Sequence, residues 1–375
     1  MIRRVDEGGR GIQGEGGPAP LVLAVNPGAG STKLALYRGD APVREERLDH
    51  PELSARPAAH VWDELPARLA EVRAFLARAG VARGALAAVA GRGGLLPPVP
   101  AGAFLVDEAM LRDLERAERG EHASNLGAPI ARAIADEHGC PALVVDPVSV
   151  DELRELARLT GVPGVERRSL AHALNLRAVA RRFAREVGRP LEALRLVAVH
   201  LGTGVSLAAL QGGRMVDVVN PQDEGPFSGD RAGGVPATAV VDLCFAPGAT
   251  AASVRRRLFG EGGLYALLGT RSVRDAIQRA EAGDPVAALA VAAMTYQIAK
   301  SAAGLCAALD GRPDAVLLTG GMAHNPEIVD PIRRRLEWVA EVRVFPGEDE
   351  LRALAEGALR VVRGEEPART YSGAP

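Results

Sequence analysis

Residues 24–40 have the sequence AVNPGAGSTKLALYRGD, in which a glycine-rich loop stands between two short apolar runs. Residues 21–25 and 34–37 have the composition of buried strands, and Gly39-Asp40 predicts a turn before a third strand. The segment therefore predicts a strand, a glycine loop, a strand, a turn and a strand, with no room for a helix between them.

A second segment repeats this pattern 174 residues later, at 198–214, with the sequence AVHLGTGVSLAALQGGR. The corresponding positions are Asn26 and His200, Gly28 and Gly202, Gly30 and Gly204, and Gly39 and Gly213. Self-similarity at a fixed offset indicates structurally related units. Two such halves would enclose a cleft, which is where ligands usually bind.

The rest of the chain alternates helical and extended patterns. Apolar residues recur at helical spacing over 63–79, 107–119, 125–138, 151–159 and 169–187, and short strands are predicted at 86–90 and 142–146. This alternation predicts an α/β fold. A third apolar run that ends in a glycine turn, 315–321, could face the same cleft.

Composition excludes several functions. Forty-five basic against 47 acidic residues give a net charge of −2, which leaves no broad cationic surface for nucleic acid or an anionic membrane. No window approaches the ~20 uninterrupted apolar residues of a membrane span. The three cysteines are far apart and form no CxxC pair, which fits a reducing cytoplasm.

The loop at 26–33, NPGAGSTK, is not a Walker P-loop, because the glycine before the lysine is missing and no helix follows. For the same reason HLGTGVS at 200–206 is not a dinucleotide fingerprint. Backbone N–H groups, the Ser31 and Thr32 hydroxyls and the Lys33 ammonium could cradle a phosphate. The alternative is an ordinary hairpin with a solvated lysine. Lys33 and Lys300 are the only lysines beside 43 arginines, which favours a specific task for Lys33.

Nine motifs, in order, resemble the butyrate kinase group of the acetokinase family, in the ASKHA superfamily of acetate and sugar kinases, Hsc70 and actin. They are NPGAGSTK, GRGG (91–94), GEHASNLGAPIA (120–131), VVDPVSVDEL (144–153), HALNLRAVARR (172–182), HLGTGVS, DEGPFSGDRAGGVP (223–236), LTGGMAHN (318–325) and PGEDELRALAEGALRVVRGEE (346–366). The similarity covers residues 21–371.

The resemblance implies two RNase H-like domains around a nucleotide cleft. We expect a disordered tail over 1–20, a first domain over 21–150 completed by a C-terminal helix at 352–371, and a second domain over 151–351. It also implies a cytoplasmic homodimer or larger assembly that uses ATP and Mg²⁺ to phosphorylate a short-chain fatty acid, with butyrate and ATP giving butanoyl phosphate and ADP reversibly.

A carboxylate is already ionised at neutral pH, so this reaction needs no general base. Its difficulty is electrostatic, because an anion must approach a negatively charged phosphoryl group in line. The resemblance assigns catalytic roles to Arg92, His172, Arg231, Lys33 and Asp146. In a sugar kinase such an aspartate would deprotonate a hydroxyl, whereas here we expect it to orient Arg92 or the waters of the metal.

The resemblance also implies nucleotide and metal sites. The nucleotide residues are Ser31, Thr32, His200, Gly202, Thr203, Gly204, Ser272, Arg274, Gly320, Gly321 and Asn325. Asn26 and either Asp349 or Glu350 would serve the Mg²⁺, and spacing does not choose between the two carboxylates.

One departure from the family bears on the substrate. Ala171 stands where phenylalanine is usual, and if that side chain lines the acyl pocket, the change would admit branched or longer acids. A branched-chain fatty acid kinase is therefore the alternative function. A non-catalytic ASKHA binding protein and a sugar or glycerol kinase are more distant alternatives, because no extra DNA-binding segment is present and several motifs are those of the acyl branch.

Overall fold

The computed structural model describes residues 18–51 and 60–373. Within these ranges eleven strands form two sheets. The strands are β1 Leu21–Pro27, β2 Ser31–Arg38, β3 Ala41–Asp49, β4 Ala88–Arg92, β5 Ala103–Leu105, β6 Ala142–Val145, β7 Arg195–Leu201, β8 Val205–Gln211, β9 Arg214–Val219, β10 Ala315–Gly320 and β11 Glu341–Pro346. The helices are α1 Leu65–Arg78, α2 Glu108–Arg116, α3 Gly127–His138, α4 Glu155–Arg158, α5 Ala173–Glu186, α6 Ala237–Cys244, α7 Ala251–Leu258, α8 Gly263–Leu268, α9 Val273–Glu281, α10 Pro285–Ala307, α11 Pro326–Leu336 and α12 Glu350–Val362.

Both sheets have the same core topology. The first has the order β3-β2-β1-β4-β6-β5, with β1, β2 and β3 antiparallel and β1, β4 and β6 parallel. The second has the order β11-β10-β7-β8-β9, with β7, β8 and β9 antiparallel and β7, β10 and β11 parallel. Each sheet is therefore an antiparallel meander extended by parallel strands.

The sequence repeat is also a repeat of strand boundaries. A shift of 174 residues places Leu21–Pro27 on Arg195–Leu201, and the first residue of β2 on the first residue of β8. The glycine loops therefore occupy equivalent positions, each joining the first two strands of its sheet.

The two sheets and three sets of helices form five layers. Helices α1, α2 and α3 cover one face of the first sheet, and α12 covers the other. Helix α5 packs on the inner face of the second sheet and against α12, while α8 to α11 cover its outer face. All seven residues of β1 are buried, as expected for a strand covered on both faces.

The C-terminal helix belongs spatially with the first sheet. Its apolar residues Leu354, Ala355 and Ala358 pack with Val22 and Ala24 of β1. The helix predicted over 352–371 ends earlier, at Val362, and Arg369 then pairs with Phe104 at the edge of the sheet. The chain thus returns to its first sheet as a helix followed by an extended segment.

The helix predicted over 151–159 is wrong apart from the single turn of α4. The Asp151 carboxylate binds Arg158 at 2.7 Å, and the Arg154 amide donates to the Val216 carbonyl of β9. These contacts take the backbone out of a helical path. Helix α5 likewise begins at Ala173 rather than 169, because the Leu170 and His172 amides donate to Asn220 and Ser206.

Helix α10 is long and apolar enough to cross a membrane by length and composition. Met294, Ile298 and Ala302 on this helix are nevertheless buried in the core beside the second sheet. The tail expected over residues 1–20 lies outside the described residues up to residue 17. At residue 20 the chain is ordered, since the Pro20 carbonyl accepts a hydrogen bond from the Gly39 amide.

Candidate active site

Arg92 ends β4, where the GRGG segment meets the start of α3. A Cβ atom on Gly91 would lie 2.1 Å from the Gly127 carbonyl oxygen, and one on Gly127 would lie 2.1 Å from the Arg92 carbonyl oxygen. Only glycine permits this approach at either position. The contact fixes the Arg92 backbone at the edge of the cleft.

The Arg92 side chain joins two distant parts of the chain. Its Nη1 donates to Glu350 Oε2 at 2.8 Å and to Asn26 Oδ1 at 3.3 Å. Asn26 Nδ2 donates to the same Glu350 oxygen at 2.6 Å. The end of β1, the end of β4 and the start of α12 are therefore tied together by three polar side chains.

Glu348 and Glu350 face this cluster, whereas Asp349 does not. Burial and the neighbouring Glu350 carboxylate raise the pKa of Glu348, and Lys33 and Arg92 oppose that shift. The Asp349 carboxylate instead contributes to raising the pKa values of Tyr37 and Arg352. Of the two expected metal carboxylates, only Glu350 lies beside Asn26.

The donor set beside Asn26 fits a magnesium ion that is also bound by phosphate. The Glu350 carboxylate is close enough to Glu348 to raise the pKa of Glu348. A divalent cation would relieve this repulsion between the two carboxylates. Among the described residues no group of three or more His, Cys, Asp or Glu could hold a metal unaided. Kinase Mg²⁺ sites commonly use one or two carboxylates and complete the shell with water and substrate phosphates.

His172 and His200 stack across the centre of the site, with ring centroids 4.0 Å apart and planes 20° from parallel. The Ser206 hydroxyl accepts from the His172 backbone amide and lies 2.7 Å from its Nδ1. A serine hydroxyl can donate to Nδ1 or accept from it, so this contact positions the His172 ring in either neutral tautomer. Burial, His200, Arg92 and Arg231 hold the pKa of His172 well below 6.5.

Asn175 determines the tautomer of His200. Asn175 Nδ2 donates to the Glu348 carbonyl, so its Oδ1 is the acceptor that lies 2.9 Å from His200 Nδ1. The proton of His200 therefore sits on Nδ1, and its Nε2 lone pair points toward Gly202 and Glu348. Burial and the positive charge of Arg92 lower the pKa of His200 to about 3.

Arg231 faces Arg92 from the second half of the chain. A Cβ atom on Gly204 would lie 3.2 Å from the guanidinium carbon of Arg231, so Arg231 packs closely against the second glycine loop. His122 lies between the two arginines, and partial burial together with Arg92 and Arg231 lowers its pKa. Positive charge thus converges on this region from both halves.

A cleft of about 710 Å³ is lined by four of these groups, which are Arg92, His122, His172 and Arg231. The apolar lining of the same cleft, here called the apolar wall, consists of Leu95, Leu96, Pro98, Val148, Leu170 and Pro221. Ala171 is fully buried in the core and is not among the residues that line this cleft.

The first glycine loop contributes a lysine but not the expected threonine. Lys33 lies on β2, opposite Asn26, and is close enough to Glu348 to affect its pKa. Successive strand residues face opposite sides of a sheet, so Thr32 points away from Lys33. Its hydroxyl is buried and contacts Arg68 and His50, which corrects the expectation that it faces a phosphate.

Asp146 is also placed differently from the expectation. Its buried carboxylate lies 3.0 Å from Arg177 Nε and 3.2 Å from Arg181 Nη1, and it accepts from the Gly102 amide. The arginines hold the pKa of Asp146 low in spite of its burial. No hydrogen bond or ion pair joins it to Arg92 within 18–51 and 60–373. Asp146 therefore links β6 to α5 instead of orienting Arg92.

The residues expected near adenosine lie apart from the cleft just described. Gly320 has a φ of 97°, and a Cβ atom there would lie 2.4 Å from the Leu201 carbonyl oxygen, whereas Gly321 has open space. Ser272 and Asn325 cap the N-termini of α9 and α11. Arg274 and Thr203 are exposed. In the described part of the chain, no hydrogen bond or ion pair connects Ser272 or Arg274 with Arg92, His172 or Arg231.

Four residues of the site had no assigned role at the level of sequence. They are His122, Asn175, Ser206 and Glu348. Each lies inside one of the nine motifs. The roles of these residues depend on their neighbours across strands. The register of β7 and β8, which pairs Ser206 with His200, could have indicated that Ser206 lies at the site.

Comparison with known proteins agrees with this geometry. A family model described as the acetokinase family matches residues 160–342. A relative from Coprothermobacter proteolyticus, named probable butyrate kinase, is 45% identical over 352 residues, which cover 93% of this chain and 99% of the relative.

Two solved structures share the fold. The acetate kinase of Porphyromonas gingivalis has a TM-score of 0.75 at 19% identity and covers 92% of this chain and 100% of its own. A propionate kinase from Francisella tularensis subsp. tularensis has a TM-score of 0.70 at 17% identity, with 90% and 98% covered.

The paired halves, with their shared sheet topology, define an ASKHA-type fold, as the resemblance of the nine motifs implies. The chain belongs to the acetokinase family, and it is a carboxylate kinase of that family.

Proposed function

We propose that this enzyme transfers the γ-phosphoryl group of ATP to butyrate, and that it also accepts the branched acids isobutyrate and isovalerate. The similar protein from Coprothermobacter proteolyticus is named probable butyrate kinase. The observation that carries the proposal is a single cleft that is lined both by Arg92, His172 and Arg231 and by aliphatic side chains.

The reaction is a direct in-line transfer. A carboxylate oxygen of the acid forms a bond to the γ-phosphorus while the bond from that phosphorus to the β–γ bridging oxygen breaks, so that ADP leaves with the electron pair. No proton has to be removed from the acid. Because the acyl phosphate is itself a reactive phosphoryl donor, the same groups serve the reverse reaction.

Arg92 and Arg231 supply the positive charge that brings the two anions together. A guanidinium can contact two oxygens at once, which suits both a carboxylate and a phosphoryl group. His172 is neutral, and with its proton on Nε2 it would donate a hydrogen bond without adding charge. These donors are held in place before substrate binds, so they need little rearrangement in the transition state.

Asn26, Glu350 and Glu348 would hold the magnesium of the nucleotide. Bound there, Mg²⁺ would neutralise phosphate charge between the two halves of the chain. The Arg92–Glu350 ion pair of 2.8 Å then serves a second purpose, since it keeps the metal-side carboxylate next to the acyl cleft. Lys33 and the backbone amides of both glycine loops would complete the phosphate contacts.

The apolar wall supports an acid longer than acetate. Leu95, Leu96, Val148 and Leu170 offer surface that an alkyl chain can cover. Each buried methylene contributes about 0.8 kcal/mol, or roughly a fourfold gain in kcat/KM. A two-carbon acid would leave most of this wall in contact with water.

ADP release with a panel of acids tests the proposal. We expect kcat/KM to rise from acetate through propionate to butyrate, with isobutyrate and isovalerate also used, and no turnover of glycerol or hexoses. The purified full chain with Mg²⁺ and ATP is sufficient for the assay, and acyl phosphate can be trapped with hydroxylamine. A clear preference for acetate would contradict the chain-length proposal, and activity only on hydroxyl acceptors would contradict the reaction.

A further inference from the structure

Arg68 is a fully buried arginine on α1, directly behind the first glycine loop. Its side chain has no solvent exposure, and it lies within 2.7 Å of Glu64, which is itself buried. A buried guanidinium is costly unless every donor is paired. Its partners therefore indicate what the side chain is kept for.

All five N–H groups of Arg68 have an acceptor. Glu64 Oε2 accepts from Nε at 3.0 Å and from Nη2 at 2.7 Å. The remaining three go to the loop: Nη2 to the Gly28 carbonyl at 3.0 Å, Nη1 to Thr32 Oγ1 at 2.8 Å, and Nη1 to the Ser31 carbonyl at 3.5 Å. Arg68 thus contacts both ends of the loop at once.

These contacts determine which way the loop amides can point. The Gly28 amide also donates to the Ser31 carbonyl at 2.7 Å, so the loop closes on its own carbonyl groups at the Arg68 side. The Ala29 and Gly30 amides have no hydrogen-bond partner among residues 18–51 and 60–373. A loop whose carbonyls are held on one side leaves its amides available to an anion on the other.

We propose that Arg68 is a positioning residue that holds the Gly28–Thr32 loop in its phosphate-binding conformation. The inference rests on the proposed function only in that the loop binds nucleotide phosphates. Arg68 acts through geometry rather than charge, because Glu64 neutralises it and because its donors are used by the loop carbonyls. Arg68 lies four and seven residues before Val72 and Phe75, so it belongs to the buried face of α1.

Replacement of Arg68 should therefore weaken nucleotide binding while leaving the acid site intact. In Arg68→Gln we expect the Kd for MgATP and MgADP, measured by calorimetry, to rise by about 10- to 100-fold, as for lost hydrogen bonds to a charged group. The KM for the carboxylate should change by less than about twofold. The nucleotide Kd of Arg68→Lys should lie between the values of the wild type and of Arg68→Gln, because an ammonium can reach the loop but cannot match the planar fork of a guanidinium.

Arg73→Gln is the matched control, since Arg73 lies on the same helix and forms only an exposed ion pair with Glu137. It should leave both constants unchanged. An unchanged nucleotide Kd in folded Arg68→Gln would overturn the proposal, as would equal losses toward nucleotide and acid.

If circular dichroism shows that Arg68→Gln does not fold, the nucleotide Kd is measured for Arg68→Lys and Thr32→Val instead. Unchanged values in both variants would again overturn the proposal. The nucleotide Kd is measured without an acid substrate. A failure of the proposed reaction would therefore appear in the wild-type turnover assay and would not change the test of Arg68.

Discussion

His172 and His200 form a stacked pair of neutral imidazoles at the centre of the site. The ring centroids are 4.0 Å apart, and Ser206 and Asn175 hydrogen-bond the Nδ1 atoms of His172 and His200 respectively. Two imidazolium ions at this distance between arginines would repel strongly, so the pair depends on staying neutral.

The neutral pair predicts how stability depends on pH. The pKa of His200 is lowered from 6.5 to about 3, and that of His172 is lowered well below 6.5. Below pH 6.5 the unfolded chain binds protons that the folded chain does not, so the free energy of unfolding falls as the pH falls. The stability that the neutral rings provide is fully present above about pH 6.5. It is lost as the pH falls toward the pKa of the folded state, by up to about 1.4 kcal/mol per pH unit for each ring.

Urea unfolding between pH 5 and 8 measures this slope. His200→Asn should show a shallower dependence than the wild type, whereas His324→Asn, which changes an exposed ring, should match it. For the same reason kcat should have no inflection near pH 6.5. An inflection there that disappears in a His172 variant would show that the ring titrates in the working range.

Arg92→Ala should remove charge stabilisation from the acyl side of the site. We expect kcat to fall by a factor of about 10² to 10³, while the Kd for MgATP changes by less than about threefold. Arg132→Ala is the control, because Arg132 forms an exposed ion pair on α3 with Asp136. Turnover close to the wild-type value would remove Arg92 from the mechanism.

The two lysines give a further test. Lys33 lies on β2 near Glu348, and Lys300 is exposed on α10. Lys33→Arg should lower kcat/KM roughly tenfold or more, because a guanidinium is larger and planar where a compact ammonium is used. Lys300→Arg should be silent in the same turnover assay. Equal behaviour of the two variants would leave Lys33 without a special role.

Two helical glycines predict opposite effects on stability. A Cβ atom on Gly357 of α12 would lie 2.4 Å from Val145 Cγ1, whereas one on Gly304 of α10 would meet nothing within 4 Å. Gly357→Ala should lower the free energy of unfolding by about 1–3 kcal/mol through overpacking. Gly304→Ala should raise it by about 0.5–1 kcal/mol through helix propensity. Urea unfolding measures the free energy of unfolding of both variants, and an increase in both would contradict the prediction for Gly357.

The repeated hairpins could be predicted because they depend on local features. Apolar runs, glycine loops and turn residues specify β1 to β3 and β7 to β9 without reference to the rest of the chain. The segment at 151–159 could not be predicted in this way. Its Leu and Arg spacing suits a helix, but the ion pair between Asp151 and Arg158 and the backbone bond to Val216 come from tertiary structure.

The candidate site divides similarly. Motifs identified Arg92, His172 and Arg231, which the fold brings to one cleft. They could not show that Asp146 faces Arg177, or that the Thr32 hydroxyl turns inward to Arg68. Those outcomes depend on strand alternation and on which helix packs behind each strand, and spacing along the chain does not contain that information.

The position of α12 has a consequence for the folding of the protein during its synthesis. Val22 and Ala24, near the start of the chain, bury their inner face against residues 353–359, near its end. Residues 353–359 must therefore leave the ribosome before the first sheet can be covered on that side. Until then the nascent chain carries an uncovered apolar surface, which is the kind of surface that chaperones bind.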